Sequence, residues 1–418
     1  MKEQSERLEC FQEKWPPVFR PETRQNNNLG SGFDSIKTGK TLSVFGESVM
    51  KSLALFNNRN RFFLPSMLGL MALVVSGLTV HGQEHEQSEP TSEAATHDMS
   101  GMEGMSGMPG MSDGKLDKET IDALKEALRT FRTLPDQVIS MIMTIMPPNY
   151  KSYVSEKSMK GDVGVLILAH GTNPEADQRL IDSAAPIAAK YPTAVGFGMA
   201  MMTSSHLQSA VDDLVAAGAK KIVVISTTPT NYLSLARQWN YIFGASDEPA
   251  YLAVPQIETE AKLLVGPTLN DHPLLSEIVL DYARELGTDP ENEEVFLVGH
   301  GPEDDEDYAG DLLNLQSHAD YVREHGNFSR ARAIDIQDDA PPAVRAANLQ
   351  KLRAWIENAH QVGKTPLVVM FLYTRGIQDK IIRDLKGLDY QFTYKGLNEH
   401  PNFAKWMQEI IDDQLAEN

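Results

Sequence analysis

The sequence predicts an α/β protein made of two tandem, similar lobes, each a parallel sheet flanked by helices. Three observations predict it. A phrase recurs: Val165-Leu166-Ile167-Leu168-Ala169-His170-Gly171 is answered downstream by Leu269-Asn270-Asp271-His272-Pro273. Val295-Phe296-Leu297-Val298-Gly299-His300-Gly301 is answered, at a matching distance, by Leu397-Asn398-Glu399-His400-Pro401. Short apolar runs alternate with segments of helical period through both stretches, as in βαβ units. Runs such as Gly164–Leu168 and Ile222–Ile225 are continuously apolar, which is expected of strands buried on both faces.

Residues 1–49 are polar, with Pro16-Pro17 and Asn26-Asn27-Asn28, and show no sustained period. A disordered extension is expected there, with Met50 as an alternative start. Lys51, Arg59 and Arg61 then precede an apolar stretch from Phe62 to Val80, and Val80-His81-Gly82 offers small residues at a cleavage site. Residues 50–82 therefore read as a secretory signal peptide, so contact with a membrane is expected only in transit. The alternative is an uncleaved anchor over residues 62–80, a run just short of a comfortable span.

Residues 83–114 form a linker rich in Met, Gly and His. Met99, Met102, Met105, Met108 and Met111 recur every third residue, in step with Gly101, Gly104, Gly107 and Gly110. Glycine at that density opposes helix, and an extended chain of period three puts the thioethers on one side. Thioethers are soft ligands suited to Cu(I), so a copper-capturing tail is one reading. A flexible tether is the other. Residues 115–159 read as a helical segment: Ile121, Leu124, Leu128 and Phe131 have helical spacing, Pro135 interrupts, and Val138–Met146 resumes before Pro147-Pro148. Met141, Met143 and Met146 are expected to be packing residues.

Lobe 1 is expected over residues 160–289. Its strands fall at Val163–Ala169, Thr193–Met201, Lys221–Thr227 and Tyr251–Gln256. Its helices fall at Glu175–Lys190, Ser205–Ala217, around Leu233–Phe243, and in a last helix that follows Pro273 and runs to about Leu286. Lobe 2, over residues 290–418, repeats the order, with strands at Glu294–Val298, Arg332–Ile336, Pro366–Leu372 and Tyr390–Tyr394. Its helices fall at Tyr308–Glu324, Pro342–Ala359, Ile377–Leu385 and Asn402–Leu415.

The formal charge of −20 over 418 residues argues against a nucleic-acid partner, whose phosphates demand a basic surface. The single cysteine, Cys10, lies upstream of the export signal. Disulfides and thiolate metal sites are thereby excluded from an exported form, leaving imidazole, carboxylate and thioether as metal ligands. Ligands of parallel sheets bind beyond the carboxyl ends of the strands. His170 and His300 occupy those ends, and Gly171 and Gly301 let the chain turn and a ligand approach the backbone. Carboxylates follow both: Glu175 after His170, the run Glu303 to Asp307 after His300, and Asp335, Asp338 and Asp339 at the end of the second strand of lobe 2. The acidic run also reads as a solvated loop. His272 and His400 precede helices and read as capping or lobe-packing residues, or alternatively as ligands.

The His-Gly strand end followed by Leu-Asn-acid-His-Pro and a final helix resembles the class II tetrapyrrole chelatases, more narrowly the sirohydrochlorin chelatases that insert cobalt or iron. The resemblance runs from about Asp162 to the C-terminus. It implies two lobes with a tetrapyrrole in the cleft between them, no ATP, and a strand-end histidine that binds the incoming divalent metal and helps remove pyrrole protons. Those roles fall on His170 and His300, with Asp335 and Asp338 as further metal ligands and Gly171 and Gly301 at the bound molecule. The sequence also departs from the family. Its usual second histidine is absent from Ser226–Tyr232 in copy one and replaced by Ile377-Gln378 in copy two. A Phe-Leu-Glu phrase is replaced by Phe197–Met201 in copy one and by Asp335–Asp339 in copy two.

Imidazole can serve as ligand or base near neutral pH. Two functional readings follow. One is an exported, ATP-independent chelatase, a lyase that puts Co2+ or Fe2+ into a tetrapyrrole such as sirohydrochlorin. The other is a periplasmic metal or tetrapyrrole carrier without catalysis, with the Met-rich tail collecting copper.

Overall fold

The computed structural model describes residues 111–112 and 115–418, all within one compact unit. The expected extension at 1–49, the signal peptide or anchor, and the linker methionines up to Met108 lie outside the described residues. Met111 is the first described residue, in a two-residue strand paired with Lys115–Leu116. No helix among the described residues is long and apolar enough to cross a membrane.

Two helices come first, as the periodicity predicts: α1 (Lys118–Ala127), capped by the Asp117 carboxylate on the Thr120 N–H, and α2 (Asp136–Ile145), started by Pro135. A strand that sequence reasoning missed follows, β1 (Tyr150–Tyr153). Four residues are too few to show a period. Lobe 1 continues with β2 (Val163–Ala169), α3 (Pro174–Ala188), β3 (Thr193–Phe197), α4 (Ser205–Ala216), β4 (Lys221–Ser226), α5 (Ser234–Ile242), β5 (Lys262–Val265) and α6 (Pro273–Leu286). Lobe 2 comprises β6 (Glu293–Gly299), α7 (Asp305–Gly326), β7 (Arg330–Asp335), α8 (Pro342–Gln361), β8 (Thr365–Phe371), α9 (Gln378–Asp384), β9 (Gln391–Phe392) and α10 (Pro401–Glu417).

The duplication is real at the level of topology. Lobe 1 has the order β1-β3-β2-β4-β5, with β1 antiparallel and the rest parallel; lobe 2 has β9-β8-β6-β7, all parallel. In each repeat the strands therefore stand second, first, third, fourth. Side chains alternate across each sheet. Val165, Ile167 and Ala169 of β2 join Val295, Leu297, Leu367 and Val369 of lobe 2 in one core shared by both lobes. Leu166 and Leu168 face an outer core with α4, α5 and the α1–α2 pair, whereas Phe296, Val298, Val368 and Met370 face another with α8 and α9.

Two expectations are corrected. Tyr251–Gln256 is not a strand; the fourth parallel strand is β5. The buried Gln238 side chain takes the polar backbone of that stretch, accepting from the Ala250 and Tyr251 N–H groups and donating to the Leu252 carbonyl. Pro255 has no N–H to give, and its carbonyl accepts from Ser204. Likewise β3 stops at Phe197 rather than Met201, because Gly198 and Ala200 take positive φ and the Asn149 side chain accepts the Ala200 N–H.

The lobes are not contiguous halves of the sequence. Helix α6, which ends repeat one, packs on α7 and β8 of lobe 2, and α10, which ends repeat two, packs on α3 and β4 of lobe 1. The two helices also pack on each other through a reciprocal pair of histidines. His272 caps α6, its Nδ1 accepting from the Leu274 N–H, with its Nε2 3.3 Å from Glu409 of α10. His400 caps α10 through the Asn402 N–H, with its Nε2 3.4 Å from Asp281 of α6. Capping and lobe packing are thus what these two residues do.

His206, at the start of α4, is buried with neither ring nitrogen hydrogen-bonded among the described residues, and burial pulls its pKa down to about 3. Below about pH 6.5 the unfolded chain takes up a proton here that the folded chain refuses until about pH 3, so stability falls across that interval. His206→Leu is expected to raise the melting temperature at pH 5 and to flatten its decline between pH 6.5 and 4. An unchanged slope in thermal melts would contradict this.

Candidate metal site in the interlobe cleft

The site begins with two equivalent turns. After β2 and β6 the chain must leave the sheet within a residue, and Gly171 and Gly301 both do so at φ +75°, where a Cβ is strained. Each turn fixes its histidine in the same way. The Nδ1–H of His170 donates to the Gly171 carbonyl at 2.5 Å, and that of His300 donates to the Gly301 carbonyl at 2.9 Å. In the neutral form of each ring, Nε2 is therefore the lone-pair atom. Both rings line one cavity of about 160 Å3 between the lobes, together with Gly301, Glu303 and Asp339. The paired imidazoles expected at a shared crevice are therefore there.

Lobe 2 surrounds its histidine with carboxylates. His300, Asp338 and Asp339 each bring one ligand atom within 4.8 Å of the others, a spacing that suits a bound cation. The Asp338 N–H donates to the His300 carbonyl at 3.1 Å, which ties the β7 exit to the β6 exit. The Asp339 carboxylate lies 3.6 Å from His300 Nε2, and its Oδ1 is buried without a hydrogen-bond partner among the described residues. Asp338 is fully buried and already accepts from Arg345 at 2.7 Å and Lys380 at 2.9 Å. Burial lowers the pKa of His300, but Asp339 and Asp338 outweigh it and hold the imidazolium above the usual range. Burial also raises that of Asp338, yet His300, Lys380 and Arg345 prevail and keep it below the ordinary carboxylate value.

Asp335 does not join this group, contrary to expectation. It is 1% exposed and packed beneath the turn: a Cβ on Gly301 would meet the Asp335 Cβ at 2.6 Å. Its carboxyl pairs with that of Asp311, itself hydrogen-bonded to Thr230 of lobe 1, and burial pushes Asp335 well above the carboxylate range. Two carboxyls in contact must share a proton. Asp339, one residue beyond Asp338, brings its carboxylate to the cation group instead.

Lobe 1 builds its lip differently. Phe197 stands where lobe 2 has Asp335, since it pairs with Ala169 as Asp335 pairs with Gly299. The carboxylate comes instead from Asp177 on α3, which accepts from the Thr172 N–H at 2.9 Å and from the Tyr150 hydroxyl at 2.7 Å. Tyr150 stacks on Phe197 with ring centroids 4.7 Å apart. Tyr373 crosses from lobe 2 to accept the Gly171 N–H at 3.2 Å. Burial lowers the His170 pKa, and the Gly171 carbonyl and Asp339 restore only part of it. The two histidines are thus driven apart: His170 towards the neutral base, His300 towards the cation.

Several sequence expectations find other places. Glu175 is on the surface, paired with Arg179 at 2.6 Å, so it is not at the site. Of the acidic run, Glu303 lines the cavity and accepts from Thr130, while Asp307 pairs with Arg237 of lobe 1 at 2.6 Å. Where the second histidine was missing, Ile377 lines the cavity, and Gln378 is buried with its amide oxygen accepting the Gly376 N–H. Met143 packs in the outer core and Met146 packs against it, while Met146 and Pro147 also line the cavity, and Thr130 donates to the Asp339 carbonyl. The segment before the repeats therefore forms part of the cleft. Asp177, Tyr150, Tyr373 and Thr130 were all missed. Only Asn173-Pro174, a helix-start signal that sets Asp177 in the first turn, marked one of them.

The glycines give a direct test of this geometry. Gly171→Ala is expected to cost about 1–2 kcal/mol from the left-handed backbone alone, since its Cβ would meet only ordinary contacts at 3.6 Å. Gly301→Ala is expected to cost more, because the Asp335 Cβ stands at 2.6 Å. Equal losses in urea denaturation would contradict the packing of Asp335 beneath that turn.

No family model and no curated protein matches the chain. Among solved structures it is similar to SirB from Bacillus subtilis, determined with Fe3+, at 15% identity over 61% of this chain and 96% of that one, with a TM-score of 0.45. It is also similar to DR2241 from Deinococcus radiodurans, described as a multi-domain protein with structural similarity to chelatases and two additional novel domains. There the identity is 16%, over 60% of this chain and 54% of that one, with a TM-score of 0.37. A third is a periplasmic binding ribose operon repressor protein from Lactobacillus acidophilus, at 10% identity over 62% of this chain and 92% of that one, TM-score 0.29. Fold and cleft define a two-lobed α/β protein with imidazole and carboxylate ligands converging between the lobes.

Proposed function

We propose that the protein inserts a divalent metal ion, cobalt or iron, into a tetrapyrrole held between its lobes, without ATP. The observation that carries this reading is the convergence of His300, Asp338 and Asp339 at one lip of a cavity whose other lip carries His170. Insertion strips water from the ion, replaces two pyrrole N–H protons by the metal, and releases both. His300 Nε2 and Asp339 hold the incoming ion, and Asp338 lends charge while tied to Arg345 and Lys380. His170 is the neutral imidazole and accepts one pyrrole proton at Nε2; the other passes to solvent. General-base help of this kind accelerates a reaction by about 10²–10⁴-fold.

The full chain is incubated with Co2+, or anaerobically with Fe2+, and with sirohydrochlorin or a free-base porphyrin, and the visible spectrum is followed. Appearance of the metallated spectrum faster than in protein-free buffer supports insertion. Binding of metal and tetrapyrrole at the uncatalysed rate supports the second reading, a carrier. The small volume of the cleft favours that alternative, because about 160 Å3 is below the roughly 300–1,000 Å3 of ordinary ligand pockets. The periplasm as the place of action, and Cu(I) capture by Met99, Met102, Met105, Met108 and Met111, rest on sequence alone. Deleting residues 99–111 is expected to lower the Cu(I) stoichiometry of the full chain.

A further inference from the structure

We infer that the tetrapyrrole taken by this cleft is apolar and sparsely carboxylated, with at least one ring edge free of acid groups, rather than an octacarboxylate such as sirohydrochlorin. The inference deepens the proposed insertion reading and rests on it. The walls of the cavity are largely apolar, with Met199, Leu233, Leu235, Trp239, Tyr251 and Ile377 among them. Its ionisable lining, among the described residues, comprises two imidazoles, two carboxylates (Glu303 and Asp339) and two tyrosines, and includes no lysine or arginine.

The basic side chains around it are already paired with carboxylates of the chain. Arg237 pairs with Asp307, Arg345 and Lys380 with Asp338, Arg375 with Glu399, and Arg179 with Glu175. A polyanion entering such a space leaves water and finds only His300 as a cationic partner, whose Nε2 already faces the Asp339 carboxylate at 3.6 Å, while it meets two carboxylates of its own sign. The chain as a whole carries −20 and adds to the repulsion.

Macrocycle chemistry turns this into a selection. An octacarboxylate has acid groups on all four pyrrole rings, so every edge it can present carries charge. A dicarboxylate porphyrin has both acids on one side. Its bare edge can enter a cleft of about 160 Å3 between the His170 and His300 lips while the acids stay in water.

The test is a binding series on the full chain without metal, following tetrapyrrole fluorescence with uroporphyrin, coproporphyrin and protoporphyrin, which carry eight, four and two carboxylates on the same ring system. Sirohydrochlorin is added as a second octacarboxylate. Affinity is expected to rise as carboxylates are lost, with the dicarboxylate at least about tenfold tighter than either octacarboxylate. Added salt is expected to strengthen the octacarboxylates by screening like charge. Glu303→Gln is expected to tighten uroporphyrin several-fold and to change protoporphyrin little. An octacarboxylate that binds as tightly as the dicarboxylate, or weakens with salt, overturns the inference and leaves the insertion reading standing. If no member of the series binds, the insertion reading itself fails.

Discussion

His300→Ala is expected to abolish tight binding of Co2+ or Fe2+, whereas His170→Ala is expected to keep it and to lose the rate of insertion. The split follows from the two lips. His300 stands with Asp338 and Asp339, and its removal leaves a carboxylate pair of which one member is already satisfied by Arg345 and Lys380. His170 belongs to no group of three or more potential metal ligands among the described residues, and burial favours its neutral form. Its loss is expected to lower the insertion rate by about 10²–10⁴-fold with little change in metal affinity. A pH signature accompanies the split. Because His300 is held protonated above the usual imidazole range, the metal must displace that proton, and wild-type affinity is expected to rise with pH through and beyond that range. Calorimetric metal titrations and single-turnover spectra check both arms. Equal loss of metal binding in the two variants would show instead that both imidazoles ligate one ion.

The second large effect concerns stability. Trp406 of α10 is fully buried, with its ring 5.1 Å from Phe403, in the core that both lobes share. Trp406→Ala is expected to cost about 3–5 kcal/mol. Its Nε1 has no hydrogen-bond partner among the described residues, so Trp406→Phe removes little polar bonding and is expected to cost much less. The consequence depends on the exchange of terminal helices. Because α10 covers lobe 1 and α6 covers lobe 2, weakening α10 is expected to shift one cooperative unfolding transition rather than split it in two. Two separated transitions in denaturant, with lobe 2 unmoved, would show that the lobes are energetically independent.

Most of the fold was legible in the sequence because its signals are local. A strand buried on both faces announces itself as a continuous apolar run, and a helix by its period; hence β2 falls on the expected residues and α6 within about a residue of the expected span. Where a long-range side chain intervened, the reading failed. Tyr251–Gln256 has the composition of a strand, but Gln238 takes its backbone hydrogen bonds from a helix. Tyr150–Tyr153 is a strand only because β3 offers it an open edge.

The site divides in the same way. His170, His300 and their glycines were visible, because a strand end and a sharp turn are written in consecutive residues. Among Asp335, Asp338 and Asp339, by contrast, the sequence shows three acids at one strand end with no means of ranking them. Packing ranks them: Asp335 is pressed beneath Gly301 and paired with Asp311, Asp338 is neutralised from α8 and α9, and Asp339 keeps a bare oxygen at the cleft. The carboxylate that lobe 1 lacks at Phe197 is replaced by Asp177 from a different element.

By itself, then, the sequence determined the duplication, the parallel lobes and the pair of strand-end imidazoles, since each is a pattern in neighbouring residues. The tertiary structure alone decided which lobe each last helix covers, which carboxylate meets His300, and that residues before the repeats close the cleft. Those outcomes depend on contacts between groups far apart in the chain, whose energies no local period records.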